Sequence, residues 1–111
     1  MNLTLANLDG TFVKITGDKS YRRIKAIASA DGVLFLCPKC FLANNRKRPG
    51  VHSVLCWRPH VPQTWSPKPG RWQFRGTGLK DLTLVAGSSS ILLKGGCAWH
   101  GYIQSGRVTD A

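Results

Sequence analysis

Two short stretches of this chain have the residue types and spacing for metal chemistry, Cys37-Pro38-Lys39-Cys40 and Cys97-Ala98-Trp99-His100. Three thiolates and one imidazole form one of the standard tetrahedral donor sets for zinc. Two residues between ligands let a tight turn present both side chains to one ion. Pro38 stiffens the first turn, and Lys39 brings a positive charge near two thiolates. The second pair follows Gly95-Gly96, where the backbone is free to turn sharply. The expected ligands are therefore Cys37, Cys40, Cys97 and His100, around a structural zinc ion.

Other readings of the cysteines fit less well. A redox CxxC pair usually opens a helix in a βαβ setting, whereas this one follows the apolar run Val33-Leu34-Phe35-Leu36 and leads into a polar loop. A disulfide framework needs a secreted chain, and the opening MNLTLANLDG has neither a basic n-region nor a long apolar run. Four unrelated cysteines are the remaining alternative. Cys56, in the strand-like run Val51-His52-Ser53-Val54-Leu55-Cys56-Trp57, is expected to be a buried apolar thiol. His52 and His60 are spare metal candidates. A lone histidine in a strand or loop is more often a surface or hydrogen-bonded residue.

Charge narrows the partner. Sixteen Lys and Arg face five Asp and no Glu, for a formal net charge of +11. Such a balance favours polyanions or an acidic protein surface. It also bears on catalysis, because no glutamate is present to serve as the general base common in zinc hydrolases. Asp81 and His52 are the only plausible catalytic helpers, and neither lies in a catalytic motif. The expected working surface is the basic loop Arg46, Lys47 and Arg48 together with Arg58, Trp65 and Arg71. Basic groups interleaved with aromatics suit single-stranded nucleic acid, and Trp and Arg also dominate protein interfaces. Core packing is the expectation for Trp57, Trp72 and Trp99.

The elements that must position these residues read as strands. At 111 residues with twelve glycines and six prolines, the chain is expected to be a single domain (1–111), turn-rich and poor in helix. Residues 1–10 read as a lead-in. Residues 11–16 alternate as a strand. Residues 21–29 admit two readings, since Tyr21, Ile24 and Ile27 recur every three residues as on a helix. The short run with β-branched residues favours a strand, pairing with 33–36 in a hairpin across Asp31-Gly32. Strands are also expected over 51–57, 71–75, 79–85 and 91–93, the last two separated by Gly87-Ser88-Ser89-Ser90. A terminal hairpin turns at Gln104-Ser105-Gly106. Residues 58–70 carry Pro59, Pro62, Pro67 and Pro69 and form a long surface loop. No run reaches membrane-spanning length. The fold expected is mostly β, a small antiparallel, sandwich-like domain closed by a Cys3His zinc site.

Over residues 33 to 109 the chain resembles a largely uncharacterised family of small phage and prophage proteins often labelled "ammonia monooxygenase". The resemblance is carried by Leu36-Cys37-Pro38-Lys39-Cys40, by Gly50-Val51-His52-Ser53-Val54-Leu55-Cys56-Trp57 and by Gly70-Arg71-Trp72. Gly76-Thr77-Gly78-Leu79, Ser89-Ser90-Ile91, Cys97-Ala98-Trp99-His100-Gly101-Tyr102-Ile103 and Gly106-Arg107-Val108 complete it. It implies a β-rich fold closed by zinc on Cys37, Cys40, Cys97 and His100, and a phage-borne accessory protein in a bacterial cytoplasm. Three histidines are too few for a copper or di-iron monooxygenase. The function expected is a non-catalytic, zinc-stabilised binding protein acting on a macromolecular partner. In a phage setting that partner would be a host defence nuclease such as a CRISPR effector, met through an acidic surface. A single-stranded nucleic-acid-binding accessory protein, a zinc hydrolase and a virion or assembly component are the alternatives.

Overall fold

The computed structural model describes residues 2–68, 70–86, 90–93 and 97–111. The expectations for Gly95-Gly96, for Gly87-Ser88-Ser89 and for Pro69 lie outside the described residues. In chain order the described strands are β1 (Leu3–Thr4), β2 (Thr11–Ile15), β3 (Tyr21–Ile24), β4 (Gly32–Leu36), β5 (Ser53–Trp57), β6 (Gln73–Arg75), β7 (Thr83–Val85), β8 (Ile91–Leu92), β9 (His100–Gln104) and β10 (Arg107–Asp110). One short helix, α1 (Pro38–Ala43), follows β4, and a single 3-10 turn spans Ile27–Ser29. The chain is mostly β, in small antiparallel sheets.

Two four-stranded sheets carry the fold, ordered β1-β10-β9-β8 and β3-β2-β4-β5, with β6 and β7 as a separate ribbon. Their apolar faces meet in one core. Phe12, Val33, Phe35, Val54 and Cys56 come from one sheet, and Leu3, Ile91, Trp99, Ile103 and Val108 from the other. Phe35 and Trp99 meet edge to face across it, with ring centroids 6.3 Å apart. Leu82 and Leu84 close one side of this core. Cys56 lies wholly inside it, as expected for an apolar thiol, and burial pushes its pKa up.

Several elements depart from the sequence reading. Residues 1–10 are not a lead-in, because Leu3, Leu5 and Leu8 are buried core residues and β1 pairs with β10. The expected hairpin between 21–29 and 33–36 does not form. Instead β3 and β4 flank β2 on opposite sides. The local turn after β2 closes the β2–β3 hairpin, with Thr16 donating to the Ser20 carbonyl. Asp31 then ties the next segment to β2's other edge. Its amide donates to the Val13 carbonyl at 2.8 Å, and its carboxylate accepts from the Ile15 amide at 2.8 Å. The stretch after Cys37 is helical rather than a loop, since Pro38 sits in the first turn, where its missing N–H costs nothing.

The terminal hairpin forms as expected. Ser105 and Gly106 have φ of 50° and 75°, the paired left-handed residues of a two-residue hairpin turn. A Cβ on Gly106 would stand 2.2 Å from the Lys80 carbonyl oxygen, so only glycine fits.

The proline-rich loop, described as 58–68 and 70, contains neither helix nor strand. It covers the outer face of the β3-β2-β4-β5 sheet, where Val61 and Trp65 pack with Val13 and Trp57. The Trp57 indole donates to the Ser66 carbonyl at 2.9 Å, and the Trp57 and Trp65 rings meet edge to face at 5.6 Å. Arg71 holds the loop from within. Its guanidinium donates to the carbonyls of Val61, Pro62, Trp65, Pro67 and Gly70 at 2.7–3.0 Å. Only a planar, five-donor fork satisfies so many acceptors at once.

Candidate metal centre

Cys37, Cys40, His52 and Cys97 converge. Their ligand atoms all lie within 4.8 Å of one another, close enough to hold a metal ion. Three of the four come from the two cysteine motifs. The histidine is His52, which was only a spare candidate, and His100 is not in the group.

Strand physics explains both placements. Cys37 follows β4 and His52 precedes β5, and these strands pair Leu36 with Ser53 and Phe35 with Val54. Extending that register by one residue sets Cys37 opposite His52, and the Cys37 amide donates to the His52 carbonyl at 2.9 Å. Directly opposed residues in an antiparallel pair project to the same face. His100 lies in β9, where successive side chains alternate faces. Trp99, Gly101 and Ile103 are buried, so His100 points the other way and is exposed. It lines a shallow 380 Å³ cleft with Lys39 and Asp110.

The knuckle spans the start of a helix. Cys37 caps the N-terminus of α1 and Cys40 lies in its first turn. The amide of Trp99 is hydrogen-bonded to the Cys97 sulfur. Ala98 between Cys97 and Trp99 has φ of 51°, a left-handed turn that doubles the chain back over the sulfur. The Lys39 ammonium donates to the Cys97 carbonyl at 2.6 Å and so fastens the two half-sites together. Cys97 Sγ lies 3.2 Å from Cys37 Sγ and 3.3 Å from His52 Nε2.

Protonation follows position. Burial pushes the Cys37 thiol up to about 12, with the neighbouring Cys97 and Cys40 sulfurs adding to the rise. At Cys97 desolvation opposes the charge, yet hydrogen bonds from Cys37, from His52 and from the Trp99 amide outweigh it and hold the pKa at about 6. Cys97 is thus the sulfur most ready to ionise, and a cation seated among the sulfurs would draw off the other protons.

The expected partner residues fall into two groups. Arg46 and Lys47 are exposed in the loop after α1. Arg48, also exposed, is paired with Asp9 at 2.5 Å. The other three have structural duties. Arg58 donates to the Ile27 and Ala30 carbonyls and stacks 4.9 Å over Phe74. Trp65 is half-buried against Trp57, and Arg71 clamps its own loop. The proposed catalytic helper Asp81 accepts from the Thr77 and Gly78 amides and the Thr77 hydroxyl, and so closes a turn. Those bonds hold its carboxyl below the usual range.

Set against protein families, characterised proteins and solved structures, the chain matches none. No helix among the described residues is long and apolar enough to cross a membrane.

Proposed function

We propose that this chain is a zinc-stabilised, non-catalytic binding protein that acts on a macromolecular partner. The observation that carries this reading is the four-donor cluster of Cys37, Cys40, His52 and Cys97. Three sulfurs and one imidazole match zinc in donor softness and number. For zinc bond lengths, a tetrahedral shell has edges of roughly 3.5–3.8 Å, and the ligand atoms here lie within 4.8 Å of one another. Four protein ligands close the shell and leave no position for a reactive water. Zinc supplies cross-linking here, joining β4, β5 and the segment before β9.

The acidic residues support the same reading. Asp9 pairs with Arg48, Asp31 with His60, and Asp81 closes its turn, while Asp110 accepts from the Trp99 indole. Among the described residues, no carboxylate belongs to the cluster that would need a base.

The partner is a polyanion or an acidic protein surface, met first by Arg46 and Lys47 on a chain of net charge +11. In the phage setting suggested by the sequence resemblance, the partner would be a host defence nuclease in the bacterial cytoplasm. The test is elemental analysis of the purified protein, with a pull-down from host lysate with and without nuclease. One zinc per chain and a protein partner that survives nuclease are expected. A chain without zinc, or with zinc exchanged at an open site during turnover of a hydrolysable substrate, would overturn the proposal.

A further inference from the structure

The outer edge of β5 borders a cavity of about 750 Å³. The backbone phase of β5 follows from its bonds to β4. The Cys37 amide donates to His52, and the Arg58 amide donates to Asp31. In an antiparallel ladder the hydrogen-bonded residues alternate, so Val54 and Cys56 face β4, while Ser53, Leu55 and Trp57 turn their amides and carbonyls outward. The Trp57 carbonyl is taken by the Trp72 amide at 3.0 Å. The outward groups of Ser53 and Leu55 have no partner among the described residues. They face the cavity that Ser53 and Leu55 themselves line.

The walls of this cavity are built. Pro67 and Lys68 of the proline-rich loop form one wall, and Leu92 of β8 forms another. The five-carbonyl clamp of Arg71 holds the loop in place. Leu92 is 55% exposed, although it is a large apolar residue. Trp72 also lines the cavity, and its indole N–H is buried with no acceptor. A buried donor without a partner is costly.

From this geometry we infer that the groove along β5 takes an extended, acidic peptide segment of the partner by strand addition. The peptide backbone would pair with Ser53 and Leu55, in the manner of β-augmentation. Alternate side chains would lie against Leu92 and Pro67. The occupant is acidic because the chain carries +11 and the described lining includes Lys68 but no carboxylate. This inference rests on the reading of the chain as a binding protein, and it adds the class of partner and the place where it docks.

The test uses the full zinc-loaded chain and a fluorescein-labelled, alternating Val-Asp eight-residue peptide. Anisotropy gives the affinity, and amide hydrogen exchange gives the site. Exchange at Ser53 and Leu55 should slow at least about tenfold on saturation. N-methylation of alternate peptide amides should weaken binding by about tenfold or more, because it blocks the ladder. Equal binding of the N-methylated peptide, or unprotected Ser53 and Leu55 amides, would overturn strand addition. An oligothymidylate that binds more tightly and protects the same two amides would reassign the groove to nucleic acid. Zinc content, read on the same sample, separates the two claims. A zinc-loaded chain with unprotected amides keeps the binding-protein reading and loses this groove, whereas a chain without zinc fails the earlier reading by itself.

Discussion

The amide of Cys37 donates to the carbonyl of His52 at 2.9 Å, across the continuation of the β4–β5 ladder. That bond places the first knuckle cysteine and the histidine side by side before any ion arrives. The candidate metal centre is thus an extension of the sheet. Its fourth ligand is chosen by strand register rather than by proximity in sequence to Cys97.

His52→Ala and His100→Ala should therefore behave differently. Loss of a direct ligand is expected to exceed the 10- to 100-fold cost usual for residues that merely support a ligand. Zinc affinity of His52→Ala should fall at least about 100-fold, measured by competition with a chromophoric chelator. His100→Ala, on the outward face of β9, should bind zinc as the parent does. The reverse pattern would reassign the site.

Cys37→Ser and Cys97→Ser should unfold the domain or lower its melting temperature sharply, because metal-binding energy at such a site is folding energy. A strong chelator should do the same to the parent chain, with recovery on adding zinc back. Circular dichroism melts with and without chelator provide the check, and unchanged melting would rule out a structural metal.

Asp31 should make stability depend on pH in the acid range. Burial works to raise its pKa, but the hydrogen bond to His60, the Ile15 amide and the charge of Lys14 together hold it below the ordinary 3.8. A carboxyl depressed in the folded state adds stability that is full above the unfolded value. This stability is lost as pH falls through the folded pKa. Asp31→Asn should cost about 1–2 kcal/mol near neutral pH. The gap between parent and variant should shrink below about pH 4. Denaturant melts across pH 2.5 to 7 would show it, and a gap independent of pH would contradict the assignment.

Arg71→Lys should loosen the proline-rich loop while leaving the two main sheets folded. A lysine ammonium is a point charge and cannot reach the five carbonyls served by the guanidinium. A loss of about 2–3 kcal/mol is expected, with faster proteolysis between Val61 and Gly70. Cleavage no faster than in the parent would mean that other contacts hold the loop.

Arg46→Ala combined with Lys47→Ala should change stability by less than about 0.5 kcal/mol, since both are exposed surface positions. Partner capture should fall at least about tenfold and lose much of its salt dependence. Undiminished capture would move the contact surface away from this loop.

Much of the site was legible in the residues themselves. Thiol chemistry and CxxC spacing are local properties, so Cys37 and Cys40 stand out in any reading, and Cys97 follows from its own CxxH pair. The alternation of apolar residues marks β2 and β5, and turn chemistry marks the terminal hairpin. Strand partners are a different matter. That β4 takes the edge of β2 opposite β3 goes with the Asp31 carboxylate reaching the Ile15 amide, a contact between residues sixteen apart. Only the fold reveals that Leu3, Leu5 and Leu8 complete the core, or that Arg58 and Arg71 donate to backbone carbonyls of their own chain.

The choice between His52 and His100 states the division most clearly. Sequence alone determined the donor types, a mostly β chain and its large positive charge, because composition and short-range periodicity encode them. Tertiary structure decided which histidine joins the sulfurs. In a strand the side chains alternate faces, so burial of Trp99 turns His100 outward, while the β4–β5 register turns His52 in beside Cys37. Neither fact exists until the strands have paired.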